Sequence, residues 1–168
     1  MKRSMSDGSL QIELSDPAGA ADGEALREAV AAALASRGVT HAELDVAVVH
    51  DAEMHALNRR WLAHDYTTDV LSFPLGGDGT AGDPLSGQVI VNPDYAAREA
   101  ATHNWPSHER PAATRELMLY AAHGTLHVCG LDDQTDEQRA EMRRAEAAAL
   151  AACGVNVPVG HVRPPAAR

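Results

Sequence analysis

An α+β fold, α/β-like in its first half and built on a small mixed sheet of about four strands packed against helices, is predicted by three features of this 168-residue sequence. Strand and helix patterns alternate twice before residue 62, two short apolar segments flank a glycine-rich stretch, and from Asn92 onward the periodicity is helical almost to the end. The proportions suit a folded chain: 45% hydrophobic and 23% charged residues. Aromatics are only 4%, so alanine must fill much of the core. A single domain of this length buries about two-thirds of the surface its unfolded chain exposes.

Each element has a local cause. Leu10, Ile12 and Leu14 alternate with polar residues, which is the period of a half-buried strand. Asp22 then stands as N-cap of an alanine-rich helix that runs to Ser36, before Gly38. Leu44 and residues 46–49 are apolar and partly β-branched and predict a second strand, with Asp51 placed to cap a helix carrying His55, Leu57 and Trp61. Val70, Leu71 and Phe73 predict a third strand, which Pro74 should end, and residues 88–91 a fourth. Between them Gly76, Gly77, Gly79, Gly82 and Gly87 mark a long flexible loop, either a lid or a tolerated insertion. Helices are predicted over 94–102, 111–129 and 135–152, the last opened by a Thr135/Gln138 capping box. Residues 1–8 and 155–168 are read as flexible ends around one domain spanning 9–154.

Charge narrows the partners. A net charge of −10 argues against general attraction to nucleic acid or anionic membrane; a polyanion would need a local basic patch or a metal. No apolar run approaches the ~20 residues that cross a bilayer, and the first nine residues lack the apolar stretch of a signal peptide. A cytoplasmic location without a membrane partner is the expectation. Cys129 and Cys153 are too few for a disulfide framework, and Cys129 is expected as a small buried apolar residue.

The chemistry lies between His123 and Asp133. Four helical residues advance about 400°, so His123 and His127 project from one face about a turn apart and can hold one ion. A third ligand further along the same helix would lie too far away. Gly130 can take a positive φ, stop the helix and return the chain, which makes Asp133 the natural third ligand. Two imidazoles and a carboxylate leave a fourth position for water, the open arrangement of a catalytic zinc site. The competing reading is a hydrogen-bonded histidine pair on a core helix, with Asp132 and Asp133 capping the next one. Gly124 occupies the position where zinc peptidases of the H-E-x-x-H type carry their glutamate base.

Taken together, His123, Gly124, Leu126, His127, Gly130 and Asp132 resemble the H-G-x-L-H-L-x-G-Y-D-H signature of the YbeY-type endoribonucleases, with Asp133 where the third histidine stands. Upstream, Leu57, Asn58 and Trp61, followed by Thr68-Asp69-Val70-Leu71-Ser72-Phe73-Pro74, are similar to that family's second motif, and Gly87 to Val91, Met142 and Glu146 fall in order. The resemblance covers roughly residues 44–152. It implies metal-dependent, single-strand-preferring endoribonuclease activity in ribosomal RNA maturation and ribosome quality control, with one Zn2+ per chain. It also implies precursor ribosomal RNA and the small ribosomal subunit as partners.

Two departures bear on chemistry. Asp133 adds a negative charge where the family has a neutral imidazole, which lowers the Lewis acidity of a bound ion and favours harder metals. Leu62 stands where the family has an arginine for phosphate, so Arg59 and Arg60 become the candidates to offset transition-state charge, against a reading as solvated surface residues. Asp132 and Glu116 are candidates for the proton acceptor; capping and a solvated helix face are their alternative roles. A small metallopeptidase and a non-catalytic ribosome-associated factor with a structural metal are the competing functions.

Overall fold

Burial alternates along the second strand: Ala42, Leu44, Val46 and Val48 are buried, while the residues between them are more exposed. That strand lies inside a four-stranded sheet. The computed structural model describes residues 9–161, in the order β1 (Leu10–Ser15), α1 (Gly23–Ser36), β2 (Ala42–Val48), α2 (Asp51–Leu62), β3 (Val70–Gly76), β4 (Leu85–Val91), α3 (Pro93–Ala100), α4 (Ala112–Val128) and α5 (Asp136–Ala152). The sheet runs β1-β2-β4-β3; β1, β2 and β4 are parallel, and β3 is an antiparallel edge. The predicted mixed sheet packed against helices is thus the observed one.

Three apolar clusters hold the layers together. Leu44, Val46, Val89 and Val91 on one sheet face meet Leu26 and Val30 of α1 and Leu117, Tyr120 and Ala121 of α4. Behind them, Ala25, Ala29 and Ala33 of α1 pack with Met118, Ala122 and Leu126 of α4 and Leu150 of α5. On the other sheet face, Met54 and Leu57 of α2 cover Leu71, Phe73 and Ile90. Helix α4 is therefore central, buried around most of its circumference. Each fully buried Leu or Met there contributes about 1.5–3 kcal/mol from the loss of water contact.

Glycine sets how close α4 comes to the sheet. A Cβ on Gly124 would lie 2.7 Å from Cγ1 of Val89 and 3.0 Å from Cγ2 of Val70, and one on Gly87 would lie 2.6 Å from Cγ1 of Val128. Both contacts are shorter than side chains tolerate, so the backbones meet only because neither residue has one.

Several boundaries differ from those expected. Asp22 does cap α1, accepting from the Ala25 N–H at 3.1 Å. Asp51 does not cap α2: it is the first helical residue, and its carboxylate is held by Arg98 (2.6 and 3.0 Å) and Asn92 (2.8 Å). Asp94 of α3 instead accepts the Asp51 N–H at 3.0 Å, a cap supplied across helices. Pro74 does not end β3, because an edge strand with a register shift between Pro74 and Gly76 accommodates it. The long flexible loop contracts to residues 77–84, tied down where the Gly79 carbonyl accepts from Thr40 and His41. Within residues 155–161, expected to be loose, two points are held: Val155 is fully buried against the α1, α4 and α5 cluster, and His161 reaches Glu116. The ends read as flexible at 1–8 and 162–168 lie outside the described residues. Among the described residues no helix is long and apolar enough to cross a membrane.

Candidate metal centre

Helix α4 ends in a Schellman turn, with the Leu131 N–H donating to the Leu126 carbonyl (3.0 Å) and the Gly130 N–H to that of His127 (2.9 Å). Gly130 has φ 100°, where a side chain would be strained. The chain reverses there, and Thr135 then starts α5 with a complete capping box. Asp133 lies in this short connection, braced by its own N–H donating to the carboxylate of Asp132 at 2.8 Å.

The result is a convergence of three side chains from 123 to 133. The ligating atoms of His123, His127 and Asp133 lie within 4.8 Å of one another, and Oδ2 of Asp133 is 3.7 Å from Nε2 of His123 and 3.4 Å from Nε2 of His127. Ligands about 2.1 Å from a tetrahedral ion stand roughly 3.4 Å apart, so little movement is needed to seat a cation.

The hydrogen bonds of the two rings decide their chemistry. His127 Nδ1 faces the Leu131 carbonyl at 2.8 Å; a carbonyl only accepts, so the proton is on Nδ1. His123 Nδ1 stands 2.5 Å from Oε1 of Glu146 and donates to that carboxylate. With Nδ1 engaged on each ring, Nε2 is the atom that both rings turn toward the same Asp133 oxygen. Two imidazole nitrogens and a carboxylate oxygen converging in this way are a donor set that fits a zinc-class divalent ion. Side-chain exposure grades from 3% at His123 to 16% at Asp133 and 22% at His127, so one side of the group meets solvent.

Glu146 carries this orientation and was not among the expected site residues. It is a buried acid on α5, and only its late position had marked it. Asp132 is exposed and turned onto the Asp133 backbone, a bracing position outside the three-ligand group. Glu116 does not sit on a solvated helix face: it is fully buried two turns before His123, held by Trp105 and His161, and is corrected from proton acceptor to member of a separate cluster. Arg59 and Arg60 are exposed near the end of α2. The His55 hydrogen bond and, after it, the charge of Arg59 hold the Asp65 carboxyl below its usual range, and the Arg60 guanidinium lies 5.1 Å from the centre of the Trp61 ring. Helix α2 covers the sheet face opposite α4. Leu62 is exposed beside them. Cys129 packs against the main core, where burial pushes its thiol up to about 11. Gly124 explains the missing peptidase glutamate: any side chain there would strike Val89.

Comparison with known proteins agrees with this architecture. At 0.52 TM-score, 21% identity and coverage of 84% of this chain and 89% of the other, the fold is similar to the solution structure of TM1509 from Thermotoga maritima. The chain is 39% identical over 137 residues to an endoribonuclease YbeY from Rhodopirellula baltica, covering 81% of this chain and 66% of that protein. It is 39% identical over 138 residues to one from an Anaeromyxobacter species (82% and 68%) and 34% identical over 155 residues to one from Salinispora tropica (84% and 95%). The chain thus spans about two-thirds of the length of the first two relatives. The family model described as endoribonuclease YbeY matches residues 15–154, and this chain belongs to that family.

Proposed function

We infer that this protein is a metal-dependent endoribonuclease that cleaves single-stranded segments of precursor ribosomal RNA, in the cytoplasm and in association with the small ribosomal subunit, as part of ribosomal RNA maturation and ribosome quality control. The names of its relatives support the activity, and one observation supports the metal: two Nε2 atoms turned onto one Asp133 oxygen. His123, His127 and Asp133 would hold the ion, with zinc as the first candidate. When bound, such an ion supplies Lewis acidity toward a phosphoryl oxygen and a water of lowered pKa.

The chain's own residues prepare for this. Glu146 and the Leu131 carbonyl fix both tautomers before any ion arrives, and Asp132 steadies the backbone that carries Asp133. Arg59 and Arg60, with Trp61 beside them, offer positive charge and an aromatic face to a phosphate backbone and an unpaired base. In an acidic chain such a local patch is what a polyanion requires.

The test is cleavage of a single-stranded RNA by purified protein. Chelation should abolish it and zinc restore it, and His127→Ala should remove it under both conditions. Cleavage that persists after chelation and in His127→Ala refutes the metal-dependent reading. Association with the small subunit is checked by co-sedimentation at low and high salt.

A further inference from the structure

On the flank of α4 that carries His123, two turns earlier, a second group of donors converges. Glu116 of α4 is met by His103, which follows α3, and by His161, which follows α5. His161 Nε2 lies 2.9 and 3.1 Å from the two Glu116 oxygens, and His103 Nδ1 lies 3.3 Å from Oε2. Trp105 donates its indole N–H to the same Oε2 at 2.7 Å. The two imidazoles are tilted by 37° to each other, their centres 3.8 Å apart. Side-chain exposure is 15% at His103, 3% at His161 and zero at Glu116, so the group is mostly buried, with His103 at its outer side.

We propose that His103, Glu116 and His161 form a second metal site, for a zinc-class divalent cation, that fastens residues 155–161 to α4 and has a structural rather than hydrolytic role. Two imidazole nitrogens and a carboxylate oxygen supply three donors for one ion, and their burial suits a structural rather than a catalytic site. Their present separations approach those of ligands around one ion, roughly 3.4 Å. Partners beyond the ligands are also in place: Trp105 steadies the carboxylate, and Oε2 of Glu99 stands 4.0 Å from His103 Nε2, on the ring edge away from Glu116. The sequence separation of the donors, 103 to 161, makes the ion a clasp between distant parts of the chain.

Metal content per chain tests this without reference to activity. After chelation, zinc reloading and removal of excess, the full-length protein should carry two ions, His123→Ala one, and His161→Gln one. Zinc at about a hundredfold excess over its Kd should raise the Tm of His123→Ala by roughly 5–10 °C, and that of the double variant not at all. A single ion in the unmodified protein that is lost in His123→Ala overturns the proposal, as does an undiminished count of two in His161→Gln. A single ion lost in His161→Gln but kept in His123→Ala supports it, and sinks instead the metal-dependent reading of the first site. Should His161→Gln fail to fold, the counts for the unmodified protein and His123→Ala decide the matter alone.

Discussion

His123 Nδ1 and Glu146 Oε1 are 2.5 Å apart, and this contact joins the central helix α4 to α5 across an interface that is otherwise apolar. A carboxylate with 9% side-chain exposure is costly to bury unless a donor meets it, so the pair holds both its partners in place. Glu146→Gln keeps an acceptor but loses the charge, while Glu146→Ala frees the ring. Zinc affinity at the His123 site is expected to fall about 10–100-fold in Glu146→Ala and less in Glu146→Gln, read by chelator competition. Equal affinity in all three proteins would mean that the ring needs no support.

Gly124 faces the sheet where no side chain fits. In Gly124→Ala the helix gains about 1 kcal/mol of propensity, but the new Cβ must push Val89 and Val70 aside, which costs about 1–3 kcal/mol. The expected net is a loss of about 1 kcal/mol in urea unfolding. Combining it with Val89→Ala should cost less than the sum of the two single changes, because one removes the atom the other strikes.

Ala63 closes α2 in the left-handed region, φ 58° and ψ 27°, with its N–H donating to the Asn58 carbonyl. A Cβ in that conformation costs about 1–2 kcal/mol, and glycine carries no such penalty. Ala63→Gly should therefore stabilise the protein by up to about 1 kcal/mol once the greater freedom of the unfolded chain is subtracted, read as a higher urea midpoint with unchanged m-value.

The Arg98 guanidinium beside Asp51 holds its carboxyl down to about 2, from an ordinary 3.8. Between those values the unfolded chain binds more protons than the folded one, so stability rises with pH there. The contribution is complete above about pH 4 and disappears as pH falls through 2. Unfolding midpoints for the unmodified protein and Arg98→Ala should accordingly differ at pH 5 and converge toward pH 2. Both side chains are substantially exposed, so salt should shrink the difference as well.

What the sequence disclosed depended on distance along the chain. Asp22 and Thr135 were legible as caps because each acts within three residues, and the grouping of His123, His127 and Asp133 followed from one helical turn and one glycine reversal. Asp51 was misread because its partner, Arg98, lies 47 residues away and outcompetes the helix end for the carboxylate. Glu146, His103 and His161 were beyond reach for the same reason: their partners are 13 to 45 residues distant and are chosen by how helices stack. The reason for Gly124 required knowing which β4 residue it faces.

The outer border of β3 carries a further implication. Pro74 has no amide hydrogen, and the pairing slips immediately after it, so the row of groups that another chain would need to lengthen the sheet is interrupted. A neighbouring molecule could add a strand there only by tolerating the gap, which guards this border against runaway stacking.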